Sequence, residues 1–186
     1  MGSFDWVAEE FLSSKSVFVA FDLETTGLDA KKERIVELGA IKFDNRGPIA
    51  RFGTLINPLI PIPPEATRVN GISDAMLKNM PTLDEVLPDF VRFIRGSTLI
   101  AHNAGFDCGF INAALALRWE DARRQDRDLG QASLLDMVDD GVGDGETKKA
   151  VAAWIPPYAS LPNRIVDTIA LAKEAFPALP GISCRN

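Results

Sequence analysis

Two short clusters of carboxylates carry the chemistry this chain could do. In Phe21-Asp22-Leu23-Glu24-Thr25-Thr26-Gly27-Leu28, Asp22 directly follows an apolar run over residues 17–21, and Glu24 stands two residues on. If the strand persists past Asp22, both side chains share one face. Two carboxylates that near repel when both are ionised. A divalent cation, held by hard oxygen ligands, removes that penalty. Gly27 lets the backbone come close beside the pair. The second cluster is Ala101-His102-Asn103-Ala104-Gly105-Phe106-Asp107, a polar turn leading into a helix with Asp107 in its first turn. The helix dipole by itself accounts for an acid there. If this strand end lies beside the Asp22 strand, three carboxylates converge on one cleft. That geometry suits two magnesium-class ions about 4 Å apart on a phosphodiester, one activating water and both stabilising transition-state charge. Asp167, ahead of Thr168-Ile169-Ala170-Leu171, fits two roles: an N-cap, and a fourth acid bordering the cleft.

The elements that must position these residues are legible in outline. Residues 17–21 read as a buried central strand, ending at Asp22. Residues 35–43 and 49–56 read as two more strands, joined by the turn Asp44-Asn45-Arg46-Gly47. Four prolines between 58 and 64 exclude regular structure there, and 65–69 is expected to form one helical turn before Asn70-Gly71. Thr82 with Glu85 makes a capping box for a helix that turns Val86, Leu87, Phe90, Val91 and Ile94 inward and stops before Gly96. Residues 98–101 read as a fourth strand. Residues 106–119 read as a helix whose inner face holds Phe106, Phe110, Ala113 or Ala114, and Leu117. Ser3 is expected to cap a first helix with Trp6, Val7, Phe11 and Leu12 on its apolar side, and residues 165–168 to open the last one.

Composition narrows the function further. At 186 residues the chain fits a single domain over 1–186 with a substantial core. Lys and Arg total 20 against 26 Asp and Glu, a formal charge of −6, which excludes a wholesale basic coat for nucleic acid. Residues 120–149 hold nine acids and five bases and, with 139–146 rich in Asp and Gly, read as part of an acidic insertion over 120–160. Two cysteines exclude a disulfide scaffold, and one histidine, His102, excludes a three-histidine metal site. The apolar run at 17–21 is far short of the ~20 residues of a membrane span, and the N-terminus lacks a basic leader, so a cytoplasmic protein without a membrane partner is expected.

The two carboxylate clusters resemble the first and second motifs of the DEDD (DnaQ-like) superfamily of metal-dependent 3′–5′ exonucleases, and among them the proofreading epsilon subunits of bacterial DNA polymerase III and their relatives. Asp22-Leu23-Glu24-Thr25-Thr26-Gly27-Leu28 is similar to the first motif and His102-Asn103-Ala104-Gly105-Phe106-Asp107 to the second. Val69-Asn70-Gly71-Ile72-Ser73-Asp74 resembles the connection between them, and Val166-Asp167-Thr168-Ile169-Ala170-Leu171-Ala172 the helix ahead of the third. The resemblance implies an α/β, ribonuclease-H-like fold: a mixed five-stranded sheet flanked by helices, expected here without the family's C-terminal helices. It implies Mg²⁺ or Mn²⁺ in a two-ion site on Asp22, Glu24 and Asp107, with Asp167 a further candidate. Thr25, Thr26, Gly27, Leu28, His102, Asn103 and Phe106 would border the terminal nucleotide. Partners so implied are the 3′ end of single-stranded DNA or RNA, a polymerase or repair protein, and a second copy of the chain.

One departure from that family is equally visible. Its third motif is a His followed five residues later by an Asp, the general base and a metal ligand. Here no Asp and no His follows Asp167. Two readings result. In the first the chain is an exonuclease releasing nucleoside 5′-monophosphates from 3′ ends. In the second it is a truncated, catalytically weak or inactive module that keeps the fold and binds a nucleic-acid end or a replication or repair partner.

Overall fold

The computed structural model describes residues 5–13, 15–128 and 156–175. The elements in chain order are α1 (Asp5–Leu12), β1 (Phe18–Thr25), β2 (Ile35–Asp44), β3 (Gly47–Leu55), α2 (Pro64–Asn70), α3 (Asp74–Leu77), α4 (Leu83–Ile94), β4 (Thr98–Ala101), α5 (Ala104–Asp128), β5 (Ile165–Asp167) and α6 (Thr168–Ala175). The strands form one mixed sheet in the order β3-β2-β1-β4-β5. β1, β2 and β3 are antiparallel neighbours, whereas β4 and β5 run parallel along the other side of β1. The expected α/β class and five-stranded mixed sheet are therefore present.

Two compact units divide the chain. One comprises residues up to 110 and from 162 onward, the other residues 111–161. The first unit contains the whole sheet. Its core on one face of β1 is aromatic: Phe90 of α4 stands 5.8 Å, ring to ring, from both Phe21 and Phe52, and Phe52 is 5.5 Å from Phe93. On the opposite face Phe18 stacks on Phe43 at 5.6 Å and meets Phe11 of α1 at 5.7 Å. A second apolar cluster, Val36, Ile62, Ala66, Ile72 and Leu77, fastens α2 and α3 to the start of β2. In the second unit Asn112 Oδ1 accepts the Leu161 N–H at 2.8 Å.

The capping box at Thr82 forms as expected, with the Glu85 carboxylate accepting both the Thr82 N–H and its hydroxyl at 2.8 Å. All five apolar residues assigned to the inner side of α4 are buried. Other expectations need correction. β1 does not end at Asp22 but runs on to Thr25, because Leu23 is buried and pairs with Leu38 of β2. β3 starts two residues early at Gly47, whose φ of +132° opens the hairpin. Residues 165–167 are not the opening of a helix but a strand, in register with 99–101 of β4. A three-residue strand running straight into a helix leaves no turn residue and too short a stretch for alternation to register.

α5 is also longer than the sequence pattern suggests, at both ends. Among its described side chains the buried ones are Ala104, Asp107, Cys108, Phe110, Ile111, Leu115 and Ala122, while Leu117 is exposed. The inner line thus keeps the expected Phe110 but runs on through Ile111 and Leu115, with Asp107 and Cys108 on it, rather than through Phe106 and Leu117. The extension to Asp128 takes in the first part of the segment expected to be an acidic insertion, laced by exposed pairs from Arg124 to Glu120 (3.6 Å) and Asp121 (3.9 Å). Such pairs add only tenths of a kcal/mol each. The stretch 139–146 and the Ser3 cap lie outside the described residues. α1 buries none of its side chains: Leu12 is 76% exposed, and α1 is held instead by Glu10, which binds Arg164 at 2.8 Å and Thr98 at 2.6 Å. The Arg164 guanidinium also lies 3.6 Å over the Trp6 ring, a cation–π contact. Among the described residues no helix is long and apolar enough to cross a membrane.

Candidate active site

The site follows from where β4 stops. Pairing of β1 with β4 extends only over Phe18–Ala20 against Thr98–Ile100. The Val17 carbonyl accepts the Thr98 N–H, so by strand alternation residues 19, 21 and 23 turn their backbone groups to the same edge. At Leu23 no β4 residue remains to pair with. Its N–H donates instead to Asp107 Oδ1 of α5, at 3.1 Å and in a buried position. A side chain 84 residues along the chain thus completes the sheet's edge. The same bond sets the Asp107 carboxylate against the backbone between Asp22 and Glu24, which, two residues apart on β1, share one face of the strand. Asp22 is exposed, Glu24 half-buried, and Asp107 only 2% exposed.

Electrostatics reports the crowding. Asp107 is pushed up to about 6, first by burial, then by the negative charge of Asp22 and, to a smaller extent, of Glu24; the Leu23 hydrogen bond opposes the shift. Glu24 is raised above the ordinary carboxylate range by burial, by Asp22 and by Glu37. Glu37 of β2 sits directly across from Glu24 in the antiparallel register, a like-charge pair that weakens a sheet unless something offsets it. Glu37 is absent from the sequence-based site, although an acid inside the apolar run Ile35-Val36-Glu37-Leu38 is a signal for it. The Cys108 thiol is held up at about 11 by burial, then by Asp107 and Asp167, so it stays protonated and inert.

Among the described residues no three His, Cys, Asp or Glu side chains are gathered closely enough to enclose an ion. The donor set nevertheless fits a hard divalent cation. Asp22, Glu24 and Asp107 offer carboxylate oxygens only, and their mutual repulsion is what a cation would relieve. Magnesium-class ions are commonly held by one or two carboxylates together with water and substrate phosphate, not by an all-protein cage.

Asp167 fills the capping role expected of it, and more. Its Oδ2 accepts the Ala104 N–H that starts α5 (3.1 Å), and its Oδ1 accepts the N–H groups of Ile169 (2.9 Å) and Ala170 (3.4 Å) that start α6. One carboxylate therefore caps two helices, and this is why α5 begins at Ala104. Asp167→Ala is expected to lower stability by about 1–3 kcal/mol, one to two caps' worth, and Asp167→Asn, which keeps one acceptor oxygen and sets an NH2 donor against the other helix's N–H, by an intermediate amount. Urea unfolding of the three proteins checks this; an Asn variant as stable as the wild type would exclude the double cap.

The remaining candidate residues frame the same end of the sheet. Asn103 turns the chain from β4 into α5 with a left-handed φ of 58°, and its carbonyl accepts the Phe106 N–H at 2.8 Å. Asn is among the few residues that adopt this conformation readily. His102 is exposed, its Nδ1 2.9 Å from the Thr168 hydroxyl. Phe106 is half-buried, with its ring 5.0 Å from Phe110. The Thr25 hydroxyl donates to the Gly27 carbonyl (2.7 Å), and Asn70 Nδ2 donates to the Thr25 carbonyl (3.3 Å). Thr26 is buried, its hydroxyl engaged by Glu33 and Arg34, whereas Leu28 is 82% exposed. The sequence assigns no task to Glu33, and to Asn70 only a place in the stretch connecting the motifs. Nothing in linear order ties either one to its partner.

Comparison with known proteins identifies the family. The RNase T family model, described as exonuclease, matches residues 19–127, more than half of the chain and including Asp22, Glu24 and Asp107. The chain is 51% identical over 114 residues to the DNA polymerase III subunit epsilon of Treponema pallidum, covering 61% of this chain and 52% of that one. It spans about half the length, or less, of the curated relatives it matches. Among solved structures, exonuclease I without ligand superposes with a TM-score of 0.60 at 16% identity, over 90% of this chain and 32% of the other. Exonuclease X in complex with 5′ overhanging duplex DNA gives 0.53 at 22%, over 89% and 68%. These two likenesses concern the fold. The sheet order, the convergence of acids from β1 and α5, and the matched span together place this chain in the RNase T family of exonucleases.

Proposed function

We propose that this chain is a metal-dependent 3′–5′ exonuclease domain, hydrolysing phosphodiester bonds at nucleic-acid 3′ ends, DNA favoured, with release of nucleoside 5′-monophosphates. The observation that carries the reading is the Leu23–Asp107 hydrogen bond, which sets a third carboxylate against Asp22 and Glu24. These three residues would hold Mg²⁺ or Mn²⁺. When bound, such ions lower the pKa of the attacking water and stabilise charge on the phosphate oxygens. Asp107 contributes a carboxylate kept in place by a backbone donor, so it does not have to be reoriented when substrate arrives. Asp167 acts one step away by fixing the first turn of α5, which carries Asp107. The exposed Leu28 offers an apolar surface to the terminal base, with Phe106 on the other element of the site. A 3′-end enzyme grips only a short single strand, so the acidic overall charge does not oppose the reading. The name of one relative, a DNA polymerase III subunit, supports a polymerase as partner, and action on DNA would put the protein in the cytoplasm.

A second reading is favoured by one observation. The sole histidine among these 186 residues, His102, sits in the loop before α5 with its Nδ1 beside Thr168. Without a positioned general base the rate would fall by about 10²–10⁴-fold. The chain would then serve as a weak or inactive module binding a nucleic-acid end or a replication or repair partner. Incubation of 5′-labelled single-stranded DNA with the protein and Mn²⁺ separates the two. The exonuclease reading expects a ladder shortening from the 3′ end and nucleoside 5′-monophosphates as product. Binding without any shortening favours the module.

A further inference from the structure

We propose that Glu33, outside both carboxylate clusters, is the positioning residue that sets loop 25–28, and that residue 27 is glycine to leave room for it. The inference rests on the nuclease reading for what the loop meets, but not for the contact itself. Thr26 is 3% exposed and tied to residues 33 and 34 through both its hydroxyl and its backbone. Its hydroxyl donates to Glu33 Oε2 at 2.6 Å and accepts the Arg34 N–H at 2.9 Å, and its own N–H donates to the Arg34 carbonyl at 2.8 Å. Residues 33 and 34 thereby close the loop's base directly after β1 delivers Asp22 and Glu24.

Gly27 completes the arrangement. The described glycines with positive φ are Gly47, Gly71 and Gly96, so conformational freedom is not why a glycine stands at 27. A Cβ there would lie 2.8 Å from Glu33 Cδ, 2.9 Å from Cγ and 3.1 Å from Oε1. All three nearest atoms belong to Glu33. An alanine can be admitted by swinging that flexible side chain away, at the cost of its bond to Thr26. Gly27→Ala and Glu33→Ala therefore act through one contact, and effects that share a contact do not add. The loop beyond carries the exposed Leu28, so loosening it weakens the hold on the terminal nucleotide while leaving the carboxylates of β1 in place.

The test is a cycle of Gly27→Ala, Glu33→Ala and the double variant, with Glu33→Gln as the conservative control. Each alanine variant is expected to raise KM for a short oligonucleotide roughly 3- to 10-fold, the scale of one hydrogen bond. The increase falls on KM more than on kcat, the double variant is no worse than either single one, and Gln, which keeps an acceptor, restores most of the loss. Amide exchange at Thr26 and Arg34 in the free protein gives a readout independent of activity. It should accelerate in both alanine variants and not in Gln. Fully additive effects, or unchanged exchange at Thr26 and Arg34, would overturn the proposal. If the wild-type protein shortens no oligonucleotide, the nuclease reading fails, while the exchange cycle still decides whether Glu33 sets the loop.

Discussion

Asp22→Ala is expected to abolish shortening of single-stranded DNA, a loss of about 10³-fold or more, without lowering the melting temperature. The magnitude follows from the several kcal/mol of transition-state charge stabilisation that a correctly held cation supplies. The absence of a stability cost follows from this structure. Asp22 is exposed on β1, so its removal opens no cavity. Its negative charge contributes to the upward shifts of both Glu24 and Asp107, so its loss relieves repulsion on two partly or fully buried neighbours. The metal-free variant should therefore melt at or above the wild-type temperature, and its affinity for Mn²⁺, read by the paramagnetic signal of the free ion, should fall in parallel with activity. Glu24→Gln should behave alike. Full activity in Asp22→Ala would sink the assignment of the site, and a markedly lower melting temperature would mean the residue serves the fold.

The sequence makes the two motifs of this site visible because each is local. Asp22 and Glu24 owe their common face to a two-residue spacing, and Asp107 its place to the first turn of a helix. Whether the two clusters meet is a matter of tertiary structure. It is decided by the length of β4, four residues, which leaves the Leu23 N–H for Asp107 to take. No periodicity in the chain encodes that open position. The same limit hides β5, since three residues cannot show an alternation, and with it the second helix that Asp167 caps. The capping box at Thr82 is legible because both partners lie within one helical turn. Glu33 is not, because its bond to Thr26 spans a separation of seven residues across a loop whose shape no local rule fixes.

Asp107→Asn is expected to produce a protein that is inactive and, without metal, more stable than the wild type. Asp107 has its carboxyl raised from 3.8 to about 6 in the folded chain, chiefly by burial. For an acid shifted upward, the ionised form is disfavoured by folding. The resulting penalty is absent below the unfolded value near 4, grows as pH rises between the two values, and is complete above about 6. At about 1.4 kcal/mol for each tenfold change in proton affinity, a rise of this size sets a ceiling of about 3 kcal/mol. The asparagine carries no charge at any pH and keeps a carbonyl oxygen for the Leu23 N–H, so part of that ceiling should appear as stability. About 1–2 kcal/mol at pH 8 in a chelator corresponds to a melting temperature higher by roughly 2–8 °C for a chain of this size. At pH 5 the gain should shrink, because the wild-type carboxyl is then largely protonated. Addition of Mn²⁺ should reverse the order at pH 8, since an ion that binds only the folded state stabilises the wild type by mass action and the variant scarcely at all. The sign change is what distinguishes a metal-holding carboxylate from a structural one. A structural acid at this position would lose stability on substitution with or without the ion, and its pH dependence would run the opposite way. The repulsion stored among Asp22, Glu24 and Asp107 is then best understood as the free protein's penalty for a site whose charges are balanced only when a cation and a phosphate are present.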